Sequence, residues 1–368
     1  MTFGERFAGT PGLEKAADFL HSVLDELDFS VDRQAFTIPR WLPKRVSLRV
    51  LSPYCHEIEA RCFLFSPPTP SDTFEGSLRW LGKHRVWERQ EWELFCIVDH
   101  LGAPIGLISG RPQYKAIFQG GIERPQLPHF IIGETDAEAV LARTKRGECL
   151  KLGGEISLDM KTSELTVSNN VYATIMDSRS LAKKRTVILV AHYDTVPGTP
   201  GAYDNASGVA ATVELARRLR EKNRIENMSL LLTAGEECNL EGSRRFCTRL
   251  RGANSDFLPS LSIVLDGIGR GTTLELWVTP DILSVVIGLV RRCKWDGDIK
   301  IITPPPPASD HVPFIELGIP TITITIDDQE LLHSSADNLD TRIEENIEAV
   351  VNFAEEFVVF VMHCLGII

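Results

Sequence analysis

His192 and Asp194 stand two residues apart at the end of the apolar run "TVILVA", and shortly afterwards comes Asp204, inside "GAYDNASGVA". Farther on, Glu236 and Glu237 follow "SLLLTAG", Asp266 ends "LSIVL", and His333 comes soon after "TITITI". Two imidazoles with several carboxylates and no thiolate form a donor set for a divalent, zinc-like ion in a hydrolytic centre, whereas a structural site draws more on cysteine. The chemistry these residue types suit is metal-assisted hydrolysis. Cys238, the one thiol nearby, is expected to be buried and inert. Asp204 and Asn205 precede a helix expected from about Ala206, so helix-cap geometry is expected to hold Asp204 with its carboxylate facing the site. Alone, "DNASG" reads as an ordinary cap; beside His192 and the paired acids it reads as a ligand loop.

The elements that must position these residues follow from the hydrophobic pattern. All of these but Asp204 lie at the carboxyl end of a strand-like run, where ligand sites of open α/β sheets collect. From about Val167 strands and helices alternate: "RTVILVAHYD", the helix "ASGVAATVELARRLREK", "MSLLLTAGEE", the helix "EGSRRFCTRLRG" and "LSIVLDGIG". The alternation continues to an amphipathic helix after Leu339 and predicts an α/β fold, a mostly parallel mixed sheet sandwiched by helices. An earlier amphipathic segment, "GLEKAADFLHSVLDELDF", is expected as a helix packed on that domain. Between residues 50 and 164 the texture changes to short strand-like runs such as "ARCFLF" and "APIGLISG", broken by Pro and Gly. The expected organisation is therefore a catalytic domain of residues 1–49 and 165–368 with a β-rich insert at 50–164.

Composition narrows the partners. The 368 residues carry 39 Lys+Arg against 50 Asp+Glu, a net charge of -11, with no long basic run to neutralise phosphates, so nucleic acid is not an expected partner. The C-terminal run "FVVFVMHCLGII" is far shorter than the ~20 residues that span a bilayer; a buried helix face or a homo-oligomer contact is expected, and no membrane association. The opening "MTFGERFAGTPG" has no basic and apolar leader, from which a cytoplasmic location is expected.

The ordered set "HYD", "GAYDNASGVA", "GEE", "LDG", "SDHVPF" and a late His-Ser-x-x-Asp resembles the co-catalytic di-zinc aminopeptidases, family 28 of the metallopeptidases. The N-terminal "RFAGTPG" extends the resemblance, and the insert resembles a protease-associated domain. The resemblance implies two zinc ions, with manganese or cobalt as alternatives, and a peptide with a free N-terminus as substrate. Carried over residue by residue, it implies that His192 and Asp266 hold one ion, Glu237 and His333 the other, and that Asp204 bridges them. Glu236 becomes the general base, and Asp194 orients a ligating imidazole. Ser309, Asp310 and His311 match a segment that lines the site. One departure stands out: several family members carry a tyrosine before the late histidine to stabilise an oxyanion, whereas this chain has Leu332.

The activity implied is hydrolysis of an N-terminal peptide bond by a water that bridges two zinc ions. Three alternatives share the fold: a glutaminyl cyclase, which typically works with a single metal; a carboxypeptidase or dipeptidase; and a non-catalytic, receptor-like scaffold. Against the last stands the full set of ligand candidates. Successive residues at an extended strand end point to opposite sides, so Glu236 and Glu237 are expected to face different partners.

Overall fold

The computed structural model describes residues 3–70, 74–121, 123–159, 164–174, 186–222, 228–252 and 258–367. The chain divides into two units, Met1–Ile38 with Thr166–Ile368, and Pro39–Leu165. The first unit opens with α1 (Pro11–Glu26), whose Leu13, Ala16, Ala17, Leu20 and Leu24 form the buried face; Pro11 at its first turn fits a position with no helical acceptor for its nitrogen. Strand β1 (Ser30–Pro39) follows.

The second unit contains β2 (Pro43–Ser52), β3 (His56–Ile58), β4 (Ala60–Cys62), β5 (Glu75–Val86), β6 (Gln90–Val98), β7 (Pro104–Gly110), β8 (His129–Ile132), helix α2 (Glu134–Lys145) and β9 (Lys151–Leu158). Its eight strands form one sheet in the order β3-β2-β9-β5-β6-β7-β8-β4. Every pair described is antiparallel except β7 with β8. The division falls at Pro39 rather than at residue 50, because β2 pairs along its whole length with β9. Only long-range pairing assigns β2 to this unit; its own alternation fits either sheet.

The chain returns to the first unit with β10 (Leu165–Thr174), β11 (Val187–His192), α3 (Gly208–Glu221), β12 (Met228–Thr233), α4 (Glu241–Gly252) and β13 (Leu261–Ile268). Then come β14 (Leu274–Val278), α5 (Leu283–Val290), β15 (Ile299–Ile302), α6 (His311–Glu316), β16 (Thr321–Ile326) and α7 (Thr341–Cys364). The sheet order is β1-β10-β12-β11-β13-β16-β14-β15. The central four strands β12, β11, β13 and β16 are mutually parallel, and antiparallel β10 and β14 flank them. Central parallel strands are buried on both faces, which is why "VILVAH" and "MSLLLT" read as nearly continuous apolar runs, while "TITITI" alternates Thr with Ile and is still buried throughout. On one face Ile188, Val190, Leu231 and Val264 pack with Phe246 of α4 and Phe314 of α6. Helices α3 and α7 pack on each other and against β13. The expected α/β architecture is the one observed. Among the described residues no helix is long and apolar enough to cross a membrane.

Candidate metal centre

Four parallel strands end on one rim, and each delivers a polar group there. His192 is the last residue of β11; Glu236 and Glu237 follow the end of β12 by one short turn; Asp266 lies in β13, and His333 follows β16. The β13–β16 ladder shifts register between Leu265 and Ile268, and such an irregularity re-aims the side chain of the residue inside it, here Asp266.

The decisive contact is made by Asp204. Its Oδ1 lies 3.1 Å from His192 Nε2, and its Oδ2 lies 3.2 Å from His333 Nε2. Asp266 Oδ1 is 3.2 Å from the same nitrogen of His192, and Glu237 Oε2 is 3.3 Å from that of His333. Two triads result, His192–Asp204–Asp266 and Asp204–Glu237–His333, each able to offer ligand atoms within 4.8 Å of one another. The shared carboxylate gives one oxygen to each.

Electrostatics agree with a place for cations. Burial disfavours a charge on His192, yet Asp266, Glu236, Asp194 and Asp204 carry its pKa well above the ordinary value. His333 is likewise opposed by burial but pushed up to about 10 by Glu237 and Asp204. Protons thus sit where divalent ions would neutralise the same carboxylates. Glu237 Oε1 is buried with no hydrogen-bond partner among the described residues, a lone pair left for a ligand. Cys238, fully buried, has its thiol raised well above the ordinary range by burial and offers no thiolate. Nitrogen and oxygen donors without sulfur fit a zinc-like divalent ion in a hydrolytic setting.

Asp194 is fully buried and its oxygens accept the backbone N–H groups of Glu236 and Glu237, each at 3.2 Å, while Oδ1 stands 3.6 Å from His192 Nδ1. One carboxylate therefore ties the β11 end to the β12 turn. The neighbouring acids diverge: Glu237 meets His333, whereas half-buried Glu236 acts electrostatically on His192, and burial raises its own pKa well above the carboxylate range.

The loop carrying Asp204 differs in detail from a simple cap. Asp204 and Asn205 have non-helical backbone angles, and their peptide bond is cis. The capping oxygen belongs to Asn205, whose Oδ1 accepts from Gly208 N at 2.9 Å and also from Gly267 N at 3.0 Å. Its Nδ2 donates to Leu265 O at 3.0 Å, so Asn205 grips both residues flanking Asp266. Asp337, four residues after His333, accepts from the backbone of Tyr203 and Asp204. The spacing of the His-Ser-x-x-Asp motif was the signal for Asp337; nothing local in the sequence marks the double grip of Asn205.

The "SDH" segment divides. Ser309 Oγ donates to Asp266 Oδ2 and so touches the site. Asp310 is fully buried, accepts from Thr233 Oγ1, and is raised to about 6 by burial. His311 is buried with both nitrogens engaged: Nε2 donates to Pro306 O at 2.8 Å and Nδ1 accepts from Thr323 Oγ1 at 3.0 Å. Burial lowers it to about 4, a neutral ring that anchors the proline run. Leu332 packs with Tyr203, Leu331 and Ile343 and carries no donor.

A profile of peptidase family M28 matches residues 170–358, more than half of the 368-residue chain. The chain belongs to peptidase family M28. This M28 protein is 26% identical over 221 residues to aminopeptidase YwaD of Bacillus subtilis, a stretch covering 56% of this chain and 46% of that protein. It is 23% identical over 284 residues to the probable lipoprotein aminopeptidase LpqL of Mycobacterium tuberculosis, covering 72% and 54%. The chain thus spans about half the length of these curated relatives. Among solved structures, a zinc aminopeptidase from Bacillus subtilis superposes with TM-score 0.70 at 19% identity, over 98% of this chain and 91% of that one. A peptidase M28 precursor from Shewanella amazonensis gives TM-score 0.71 at 18% identity, over 98% and 90%. At these identities the likeness shows the fold.

Proposed function

We propose that this M28 protein is a metallo-aminopeptidase that removes the N-terminal residue of peptides with a free α-amine, using two zinc ions. The observation that carries the reading is the division of Asp204, one oxygen toward His192 and the other toward His333. His192 and Asp266 would hold one ion, Glu237 and His333 the other, with Asp204 common to both. Bound there, the ions supply Lewis-acid polarisation of the scissile carbonyl and lower the pKa of water from ~15.7 toward ~7.

The remaining steps belong to the chain's own residues. Glu236 takes a proton from the attacking water and gives it to the departing amine. Asp194 fixes the backbone of the two acids so that Glu236 and Glu237 keep different duties. Asp266, the most exposed of the five ligand candidates at 16% of its side chain, stands with Glu236 as the carboxylate edge for the substrate's ammonium group. Leu332, packed with Tyr203, Leu331 and Ile343, supplies no oxyanion donor from its side chain.

Metal analysis of the purified protein, combined with a panel of aminoacyl-nitroanilides and their N-acetylated counterparts, tests this reading. The expected result is two ions per chain and release from unblocked substrates alone. A fully loaded enzyme holding one ion at most, and releasing ammonia from peptides that begin with glutamine, would overturn it in favour of a cyclase.

A further inference from the structure

Arg6 lies in "RFAGTPG", outside residues 170–358 that carry the family match, and only 6% of it is exposed. A buried guanidinium needs acceptors for its donors. Here three of them are backbone carbonyls of a single loop, and Gly4 O accepts a longer bond from Nη1 at 3.4 Å. Nε donates to Tyr193 O at 2.6 Å, Nη1 to Pro200 O at 2.7 Å, and Nη2 to Gly201 O at 2.8 Å. The backbone N–H of Arg6 donates to Thr195 Oγ1 at 3.0 Å, and the adjacent Glu5 accepts from Gly198 N at 2.8 Å.

That loop starts one residue after His192 and ends three residues before Asp204. A single planar group therefore fixes both of its ends, and with them the separation of two ligand candidates. The fork geometry matters, because one rigid plane reaches three carbonyls at once; an ammonium is a point charge on a flexible stem and cannot span them. Asp194, Asp204 and Asp337 are the acids whose charge acts on Arg6, so the same side chain also offsets part of the negative charge around the site.

We propose that Arg6 is a positioning residue of the two-cation site, setting the distance between His192 and Asp204 through the loop that joins them. The inference rests on the two-cation reading above. Partners that orient ligands without touching the metal typically contribute 10–100-fold to metal affinity, and the effect expected for Arg6 is of that order.

The test uses the full-length chain and measures zinc itself. Affinity and stoichiometry are read by competition with a chromophoric chelator, with circular dichroism and thermal melting alongside. Arg6→Lys keeps the charge and most of the packing but loses the fork; it is expected to fold and to bind zinc about 10–100-fold more weakly. Arg6→Ala is expected to lose at least as much, and millimolar guanidinium, too dilute to denature, is expected to restore part of the affinity. Wild-type zinc affinity in Arg6→Lys overturns the proposal, whether or not Arg6→Ala folds. So does a loss in both variants that guanidinium leaves unchanged and that only follows a drop in melting temperature. A wild-type chain that binds one ion overturns the two-cation reading instead, and the effect of Arg6 is then read on the affinity of that ion.

Discussion

Asp337 accepts the backbone N–H of Asp204 through Oδ2 at 3.1 Å, so the residue whose carboxylate the two triads share has its backbone held by a second acid. The other oxygen of Asp337 accepts from Tyr203 N at 2.6 Å. An amide in this place has one accepting oxygen and turns its NH2 toward a second N–H. Asp337→Asn is therefore expected to leave one buried donor unpaired, at about 1–3 kcal/mol of stability. It is also expected to weaken zinc binding about 10–100-fold. Thermal melting and chelator competition check the two effects, and wild-type values in both would show that Asp337 is dispensable.

The adjacent acids are separable. Glu236→Gln keeps size and removes the proton acceptor, so turnover is expected to fall about 10²–10⁴-fold with metal retained. Glu237→Gln removes a charge from the His333 triad and is expected to weaken metal binding, with activity partly restored by added zinc. Metal content measured beside kcat decides; the reverse pattern would exchange the two roles.

Gly201 adopts φ of 67°, and a Cβ there would lie 2.2 Å from Thr195 Cγ2 and 2.6 Å from Asp204 O. Gly201→Ala combines a left-handed backbone with overpacking beside the shared ligand. A loss of at least about 2 kcal/mol is expected. Denaturant midpoints measure it, and a variant as stable as wild type would show that the loop has room to give.

The second unit carries its own pH dependence. Ser109 Oγ lies 2.8 Å from both His84 Nε2 and His129 Nε2, and one hydroxyl hydrogen can serve only one of the rings. Burial, and then the neighbouring His84, lower His129 to about 3; burial lowers His84 as well. Above ~6.5 neither folded nor unfolded chain protonates these rings. As the pH falls from there toward about 3, the unfolded chain takes up the proton that folded His129 refuses, so stability falls. His129→Gln is expected to flatten this decline in urea unfolding between pH 6.5 and 4. An undiminished slope in the variant would assign the acid sensitivity elsewhere.

Much of this was legible because parallel central strands write themselves into sequence as apolar runs, and the residue just past each run falls on the rim. His192, Asp266 and the Glu236–Glu237 pair needed no more than that. The grips of Arg6, Asn205 and Asp337 were not legible in the same way. Arg6 meets Gly201 across 195 residues, and Asp337 meets Asp204 across 133. Such contacts depend on loop geometry, which no periodicity records. His311 shows the converse: its neighbours match a site segment, yet its two hydrogen bonds make it part of the core. The boundary at Pro39 was hidden for a related reason, since alternation in β2 is compatible with either sheet until its partner β9 is known.

The second unit leaves the chain after β1 and rejoins it at β10, and those two strands are neighbours in the first sheet. At the exit and return points Arg40 N donates to Glu164 O at 2.7 Å, so the ends of the insertion touch each other. To the sheet, everything between them is a closed loop whose entropy grows only logarithmically with length, about 0.6 kcal/mol for each doubling. Gene-level insertion, shortening or exchange at this point therefore disturbs the peptidase framework little. Changes of length between Pro39 and Leu165 thereby leave the strands that position His192, Asp266 and His333 in register.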